Sequence, residues 1–371
     1  MDPQYEYQAA RQREDLRLIA AEIMDVRDVK HVPPPERGAI RLAGRLLVEP
    51  ESAYDYVQPR FRALGYTAML HEDPAQPDGV TLLALPGEFP QSRPNIWLAG
   101  VLFLLTIAST IFVGGAEVNG FNWGLGLAFS ASILSILFAH EMGHFIVARR
   151  LGVQVSYPYF IPMPLTPIGT MGAVISMKSP PANRSHLLAV GIAGPLAGLV
   201  VAMPVLFIGL SLSEVQSMDA VREQTSVILM EGNSIIYALS KILVFGRFLP
   251  SGGDDVLLHP VAFAGWVGLL VTGLNLIPAG QLDGGHIFYA LFGRRLSRRF
   301  TWGLAALLFA MGFLWGGWFL WSFLIIVFGQ RQAPLLNELT PMTRGQRILA
   351  IIGLVLFVLV FTPVPFQVIE L

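Results

Sequence analysis

Long apolar runs with almost no charge dominate the sequence after residue 95, and they constrain the fold more than any other feature. Residues 1–95 hold 26 of the 51 charged side chains, so the rest of the chain lacks the charge that covers a soluble surface. An α-helix needs roughly 20 residues to cross a bilayer. We therefore predict an α-helical polytopic membrane protein with about six transmembrane helices: Ile96–Ala116, Asn122–Ala148, Leu187–Ser213, Pro260–Phe292, Thr301–Gly329 and Ile348–Thr362.

The charged N-terminal part predicts a small α+β domain. Apolar alternation and turn residues indicate three strands and one amphipathic helix within residues 38–90, and a separate polar segment precedes them. The predicted parts are a polar segment over 1–37 with a helix over Tyr5–Val29, strands over 39–48, 66–71 and 79–85, and a helix over 50–64. Residues 91–95 form a linker, and 96–371 form the membrane-embedded domain.

Cysteine is absent and the formal net charge is only −1. A disulfide framework, a thiolate metal site and a cysteine nucleophile are therefore excluded. The basic residues form no extended patch, so we expect no nucleic-acid partner. Any metal ion must be held by His, Asp or Glu.

Arginine placement predicts the orientation in the membrane, because cytoplasmic ends of spans are enriched in Lys and Arg. Arginines close the second and fourth runs, which predicts that those ends and the N-terminal domain are cytoplasmic. With six spans, the loop 330–347 falls outside, although it carries Arg331, Arg344 and Arg347 against Glu338. A hairpin broken at Gly316-Gly317 is the alternative to one tilted span over Thr301–Gly329.

Three ionisable residues interrupt the second apolar run, in the order His140-Glu141-Met142-Gly143-His144. Ionisable groups inside a span are costly and mark functional sites by default. On a helix, His140 and His144 lie one turn apart on one face, so both imidazoles can reach one metal ion. Glu141 lies beside them, where it can take a proton from water.

A catalytic zinc site takes three protein ligands and leaves one position open. Asp283 is the only other acid at membrane depth. At 1.5 Å per residue, His140 lies about 13 Å from Arg149 and Asp283 about 16 Å from Arg294. The matching depths predict that Asp283 shares an ion with the two histidines.

These motifs resemble the site-2 protease family of intramembrane zinc metalloproteases. The resemblance rests on His140–His144 and on N-x-x-P-x-x-x-x-D-G from Asn275 to Gly284, and it continues through the glycine motifs at Gly191–Gly198 and Gly169–Ala173. It covers roughly residues 96–365 and is greatest to the bacterial and plastid members that have an N-terminal α/β domain.

The resemblance implies a function and a location. His140, His144 and Asp283 would hold one Zn²⁺, and Glu141 would be the general base. The substrates would be transmembrane proteins, cleaved within or near their membrane segments in regulated intramembrane proteolysis. The protein would lie in a lipid bilayer, a bacterial inner or plasma membrane. The arginine positions place the site toward its cytoplasmic side.

Two further polar residues lie near Asp283, and each has two interpretations. Asn275 is either a substrate or oxyanion contact or one end of a hydrogen bond between helices. His286 is either a partner of the metal ligands or an ordinary helix-interface residue.

The segment 153–177 mixes aromatic and β-branched residues with prolines. It predicts a membrane-dipping sheet with a strand over Gly172–Met177, whose edge pairs with an extended substrate through Gly172, Ala173, Val174 and Ile175. An ordinary cytoplasmic loop is the alternative.

Two other functions fit the same residues. One is a catalytically silent membrane scaffold or chaperone of the same fold, and the other is a metal transporter that uses the His/Asp cluster. The physiological substrate and the oligomeric state stay open.

Overall fold

The computed structural model describes residues 3–32, 38–73, 79–89, 95–117, 120–219, 227–329, 332 and 334–370. Two compact units are present. The first contains Met1–Ser92, Lys178–Leu187 and Ala333–Thr343, and the second contains Arg93–Met177, Leu188–Gln332 and Arg344–Leu371.

The first unit is built on a four-stranded antiparallel sheet of strand order β1-β2-β4-β3. Two helices pack on it, and a single apolar core that includes Leu16, Val57, Phe61 and Leu82 lies between them and the sheet. The elements are α1 (Pro3–Ala21), β1 (Met24–His31), β2 (Ile40–Leu46), α2 (Pro50–Ala63), β3 (Tyr66–Glu72) and β4 (Val80–Pro86).

The three predicted strands and the helix over 50–64 are confirmed to within two residues. The predicted helix over Tyr5–Val29 is wrong beyond Ala21, because Met24–His31 is a strand that pairs along β2. Leu16 and Ala20 of α1 are fully buried in the core of this sheet. The described residues 3–32 therefore pack in the same compact unit as the rest of the four-stranded sheet.

Two later parts of the chain extend the sheet beyond β3. Leu70 donates its N–H to Leu336 O at 2.7 Å, and Glu338 donates to Leu70 O at 2.9 Å. Next to them, Asn337 donates its N–H to Ala182 O at 2.7 Å. The edge of β3 is thus paired with residues that lie about 270 positions away in the sequence.

The second unit contains eight helices in its described part, together with four two-stranded antiparallel pairs, β5–β6, β7–β8, β9–β11 and β10–β12. The helices are α3 (Ile96–Gly115), α4 (Trp123–Arg150), α5 (Arg184–Ser211, whose first four residues belong to the first unit), α6 (Ile235–Phe245), α7 (Pro260–Asn275), α8 (Asp283–Met311), α9 (Gly317–Phe328) and α10 (Arg344–Val360). The strands are β5 (Ala116–Glu117), β6 (Gly120–Phe121), β7 (Tyr159–Met163), β8 (Gly169–Val174), β9 (Glu214–Ser217), β10 (Val227–Glu231), β11 (Asp254–Leu257) and β12 (Phe366–Glu370).

Three helices of the described chain, α3, α4 and α5, are long and apolar enough to cross a membrane. The predicted count of six is not confirmed. The predicted fourth span, Pro260–Phe292, is not one helix: α7 ends at Asn275 and α8 begins at Asp283. Pro278 and Gly280, whose φ is +58°, lie in the break between them.

The predicted single span over Thr301–Gly329 is wrong, because the chain reverses there and forms a hairpin. Ser322 Oγ of α9 donates to Ala305 O of α8 at 2.8 Å, and the rings of Phe309 and Phe319 lie 5.2 Å apart near the turn. These pairs run antiparallel. The returning helix α9 has 12 residues and is only about 18 Å long, too short for the roughly 30 Å apolar thickness of a bilayer.

Candidate metal centre

Helix α4 brings the histidine pair and Glu141 into the interior of the second unit. The side chain of Asn122 caps the helix by accepting the N–H of Leu125, and the helix then runs unbroken to Arg150. His140, Glu141 and His144 are only 2%, 5% and 8% exposed. Three ionisable groups are thus buried on a helix whose other charged residues, Arg149 and Arg150, lie in its last turn.

Asp283 reaches the two histidines from the start of α8. Its Oδ2 lies 3.3 Å from His140 Nε2 and 3.2 Å from His144 Nε2, and the two Nε2 atoms are 3.2 Å apart. The break after α7 makes this contact possible, because it puts the carboxylate at a helix start that points toward α4. The structure therefore brings together the three residues predicted to be metal ligands.

The spacing of these donor atoms fits a tetrahedral metal ion. Ligand atoms at about 2.0–2.1 Å from Zn²⁺ lie about 3.3–3.4 Å from one another on a tetrahedron. The three observed separations are within about 0.2 Å of that value. Two imidazoles and one carboxylate are also the donor types that zinc accepts.

A hydrogen bond fixes the orientation of His144. Its Nδ1 donates to Val190 O of α5 at 2.8 Å, which leaves Nε2 as the free nitrogen that faces Asp283. Such bonds set the tautomer and the ring angle of metal-binding histidines.

Glycines of α5 make room for the histidines. A Cβ at Gly194 would lie 2.0 Å from His144 Nε2, and one at Gly198 would lie 3.0 Å from His140 Nδ1. On the facing helix, a Cβ at Gly143 would lie 2.5 Å from Ala193 O. Gly194 and Gly198 thus let α5 come close to α4, and the contact is made against the imidazoles.

Asn275 is the last residue of α7, and its Nδ2 lies 3.2 Å from His140 Nε2. The hydrogen bond between helices that the sequence suggested is therefore present. Through this contact, Asn275 Nδ2 lies next to one of the three proposed ligand atoms.

A cleft of about 220 Å³ opens beside the donor atoms and contains Glu141 and Asn275 in its wall. His286 also lines it. Its Nε2 is buried and has no hydrogen-bond partner in the described part of the chain.

Strand β8 forms another side of the cleft through Ala173 and Val174, and Ile175 and Met177 continue this wall beyond the strand end. The observed strand is Gly169–Val174 and not the predicted Gly172–Met177. Its pairing with β7 ends where Tyr159 pairs with Val174. Beyond that point, only an isolated bridge joins Val155 to Met177. Gly172 lies in the strand with a φ of +90°, which favours glycine.

Known proteins resemble this chain along most of its length. The model of peptidase family M50 matches residues 128–315. The probable zinc metalloprotease EGY2, chloroplastic, of Arabidopsis thaliana is 30% identical over 355 residues, which cover 90% of this chain and 61% of that protein. The corresponding EGY1 of Arabidopsis thaliana is 30% identical over 304 residues, or 72% of this chain and 53% of that protein. No solved structure matches the chain.

The matched part of this chain thus spans about three fifths of the length of EGY2 and about half of the length of EGY1. Both are described as chloroplastic. The prediction of a bacterial inner or plasma membrane is therefore not borne out.

Proposed function

We propose that this chain, which belongs to peptidase family M50, the site-2 protease family that its motifs predicted, is an intramembrane zinc endopeptidase. Its substrates would be membrane proteins, cut within or near their transmembrane segments. The observation that carries the proposal is the buried triad of His140, His144 and Asp283, whose donor atoms are 3.2–3.3 Å apart at the wall of a cleft that also contains Glu141.

One Zn²⁺ would be held by His140 Nε2, His144 Nε2 and Asp283 Oδ2. When bound, the ion polarises a carbonyl and makes water acidic enough to attack near neutral pH. His144 is held for this role by Val190 O.

Glu141 moves the proton in this proposal. It lies next to His140 on α4, is buried, and lines the cleft. Its carboxylate takes a proton from the attacking water and delivers it to the leaving amine, which is the general base and acid role of a cleft carboxylate.

Asn275 is proposed to stabilise the developing oxyanion. Its amide N–H has His140 Nε2 as acceptor at 3.2 Å. Once that nitrogen serves as a ligand, the N–H is left facing the cleft, where it can donate to a negatively charged oxygen.

Strand β8 is proposed to hold the substrate in an extended form. A transmembrane helix hides its amides in internal hydrogen bonds, so it must unwind before cleavage. Within the part of the chain that is described, β8 pairs with β7 on one side only, and Ala173, Val174 and Ile175 lie along the cleft. An unwound segment can add to this edge as a strand.

Proline substitution tests this pairing. We expect Ala173→Pro or Ile175→Pro to lower kcat/KM by about tenfold, because each removes one hydrogen bond to the substrate. The zinc content should be unchanged. Ala173→Ser and Ile175→Val keep the N–H and should cleave like the wild type. Unchanged cleavage by both proline variants would show that substrate does not pair here.

Two pairings support a membrane topology with five crossings and one re-entrant hairpin. Residues 333–343 belong to the same compact unit as the N-terminal sheet, so we place both on one side of the membrane. Strand β12 near the C-terminus pairs with β10, so we place both on the other side. The hairpin of α8 and α9 enters and returns to the side of the N-terminal domain. Arg344 and Arg347 then lie at the end of α10 that follows residues 334–343, on the side of the N-terminal sheet.

Labelling of single cysteines checks this topology, because the native chain has none. In sealed membranes, an impermeant maleimide should label Arg11→Cys and Thr343→Cys from one side and Ser217→Cys and Gln367→Cys from the other. If Thr343→Cys and Ser217→Cys were labelled from the same side, the result would instead support a single span over Thr301–Gly329.

Zinc-dependent cleavage is the test of the proposed function. The purified protein in liposomes should cut single-span model substrates, lose activity with a chelator, and recover it with one equivalent of Zn²⁺. Protein that holds one zinc but cuts no member of a broad panel would favour the silent scaffold. Zinc flux across the liposome membrane without cleavage would favour the transporter.

A further inference from the structure

A sharp kink divides α8 just beyond the candidate metal centre. Gly293 has φ +78° and ψ 172°, values outside the helical range, and it is buried. The part before the kink carries Asp283 and is largely buried. The part that follows begins with Arg294 and Arg295, and most of its first residues are exposed.

Four arginines occupy the first two turns after the kink, at positions 294, 295, 298 and 299. All four are exposed. At 3.6 residues per turn they fall within an arc of about 140° on one face of the helix, and Ser297, which is fully buried, points elsewhere. Across the described ranges, no carboxylate lies within ion-pair distance of any of the four.

Large exposed apolar side chains accompany these arginines: Trp302 falls on the same face, and Leu296 and Phe300 lie beyond one edge of it. Leu296 is 47% exposed, Phe300 39% and Trp302 49%. Unpaired guanidinium groups favour contact with anions, whereas exposed aromatic and aliphatic groups favour removal from water. The boundary between headgroups and acyl chains of a membrane provides both environments at once.

From this arrangement we propose that residues 294–302 form a binding site for the headgroups of anionic lipids. The arginines contact phosphate or other acidic headgroup oxygens, and Leu296, Phe300 and Trp302 insert among the acyl chains. Clusters of basic residues next to a membrane segment attract anionic lipids in this way. A free phosphate would use the arginines but leave the apolar side chains exposed, so the observations favour a lipid.

The site has a structural consequence for the rest of α8. It lies eleven residues after Asp283, on the far side of the Gly293 kink, and immediately before the hairpin formed with α9. Bound headgroups would therefore anchor the segment that joins the metal-centre part of α8 to the hairpin. This inference goes beyond peptide hydrolysis, since lipid binding requires neither zinc nor substrate.

Lipid titration of the delipidated, full-length protein tests the site. Native mass spectrometry in detergent would measure binding of phosphatidylglycerol and phosphatidylcholine. We expect the wild type to bind the first phosphatidylglycerol at least about tenfold more tightly than phosphatidylcholine, given four basic residues near the surface. The variant with Arg294→Gln, Arg295→Gln, Arg298→Gln and Arg299→Gln should lose this preference.

A matched control separates the site from net charge. Arg11→Gln, Arg13→Gln, Arg45→Gln and Arg60→Gln together remove four exposed positive charges from the first unit, and this variant should keep the preference. Replacing the four α8 arginines with lysine should also keep it, which guards against a folding defect of the glutamine variant. Equal losses in both glutamine variants, or an undiminished preference in the α8 variant, would overturn the proposal. Loss of the wild-type preference in millimolar glycerol 3-phosphate would also overturn it, in favour of a soluble anion.

Discussion

Gly194→Ala is expected to destroy the metal centre without disturbing the fold of the first unit. The new Cβ would lie 2.0 Å from His144 Nε2, well inside contact distance, and the nearest atom is the proposed ligand itself. His144 cannot move aside freely, because its Nδ1 is held by Val190 O on the same helix as Gly194. We expect zinc affinity to fall by about 10²-fold or more, since loss of a partner of the ligands alone costs 10–100-fold.

Isothermal titration with Zn²⁺ and measurement of bound metal would check this expectation. Gly303→Ala is the matched control, because it also adds one methyl group to a helix of the second unit, and nothing lies within 4 Å of the new Cβ. That variant should bind zinc like the wild type. A Gly194→Ala protein with normal zinc affinity would show that the helices separate easily here, and that Gly194 does not shape the site.

Glu141→Gln should leave zinc bound and remove nearly all cleavage. Glutamine keeps the size of the side chain but cannot accept a proton, and Glu141 is not one of the three donor residues. Loss of general acid–base catalysis lowers rates by about 10²–10⁴-fold. The measurement is kcat on a single-span substrate, with zinc content determined on the same sample.

Glu214→Gln, an exposed carboxylate of the second unit, serves as the control and should cleave normally. Two results would contradict the role of Glu141. Cleavage within tenfold of the wild type would mean that another group moves the proton. Loss of zinc from the variant would mean that Glu141 supports the metal site.

The cluster of proposed metal ligands could be predicted from the sequence because helical geometry is local. The i, i+4 spacing of His140 and His144 fixes their common face, and the distance to flanking arginines gives the depth of Asp283. The structure brings the three residues to within 3.3 Å of one another. The helix assumed for that distance is continuous from Asp283 to Phe292 and is broken only at Gly293, directly before Arg294.

The packing of Gly194 against His144 could not be predicted in the same way. Small residues four positions apart, such as Gly194 and Gly198, indicate that another helix packs closely against this face. They do not say which side chain of that helix fills the space. That information depends on how α4 and α5 cross, which is set by the whole second unit.

Two errors in the predicted secondary structure arise because hydropathy reports neither where the chain reverses nor which segments pair. The sequence from Thr301 to Gly329 is apolar throughout, so it reads as one span. The reversal depends on Gly312, where a Cβ would lie 2.5 Å from the ring of Phe319. At the N-terminus, Met24–His31 continues the apolar spacing of α1 closely enough to read as a helix, and only its pairing with β2 makes it a strand.

The pairing of β3 with residues 336–338 also determines when the N-terminal domain can mature. During synthesis, the edge of β3 has no partner until some 270 further residues have been made, most of them apolar and bound for the membrane. At 5–20 residues per second this delay is on the order of tens of seconds. An open strand edge is a template for aggregation. The domain that is translated first is therefore completed only after the segments between Leu70 and Leu336 have been translated.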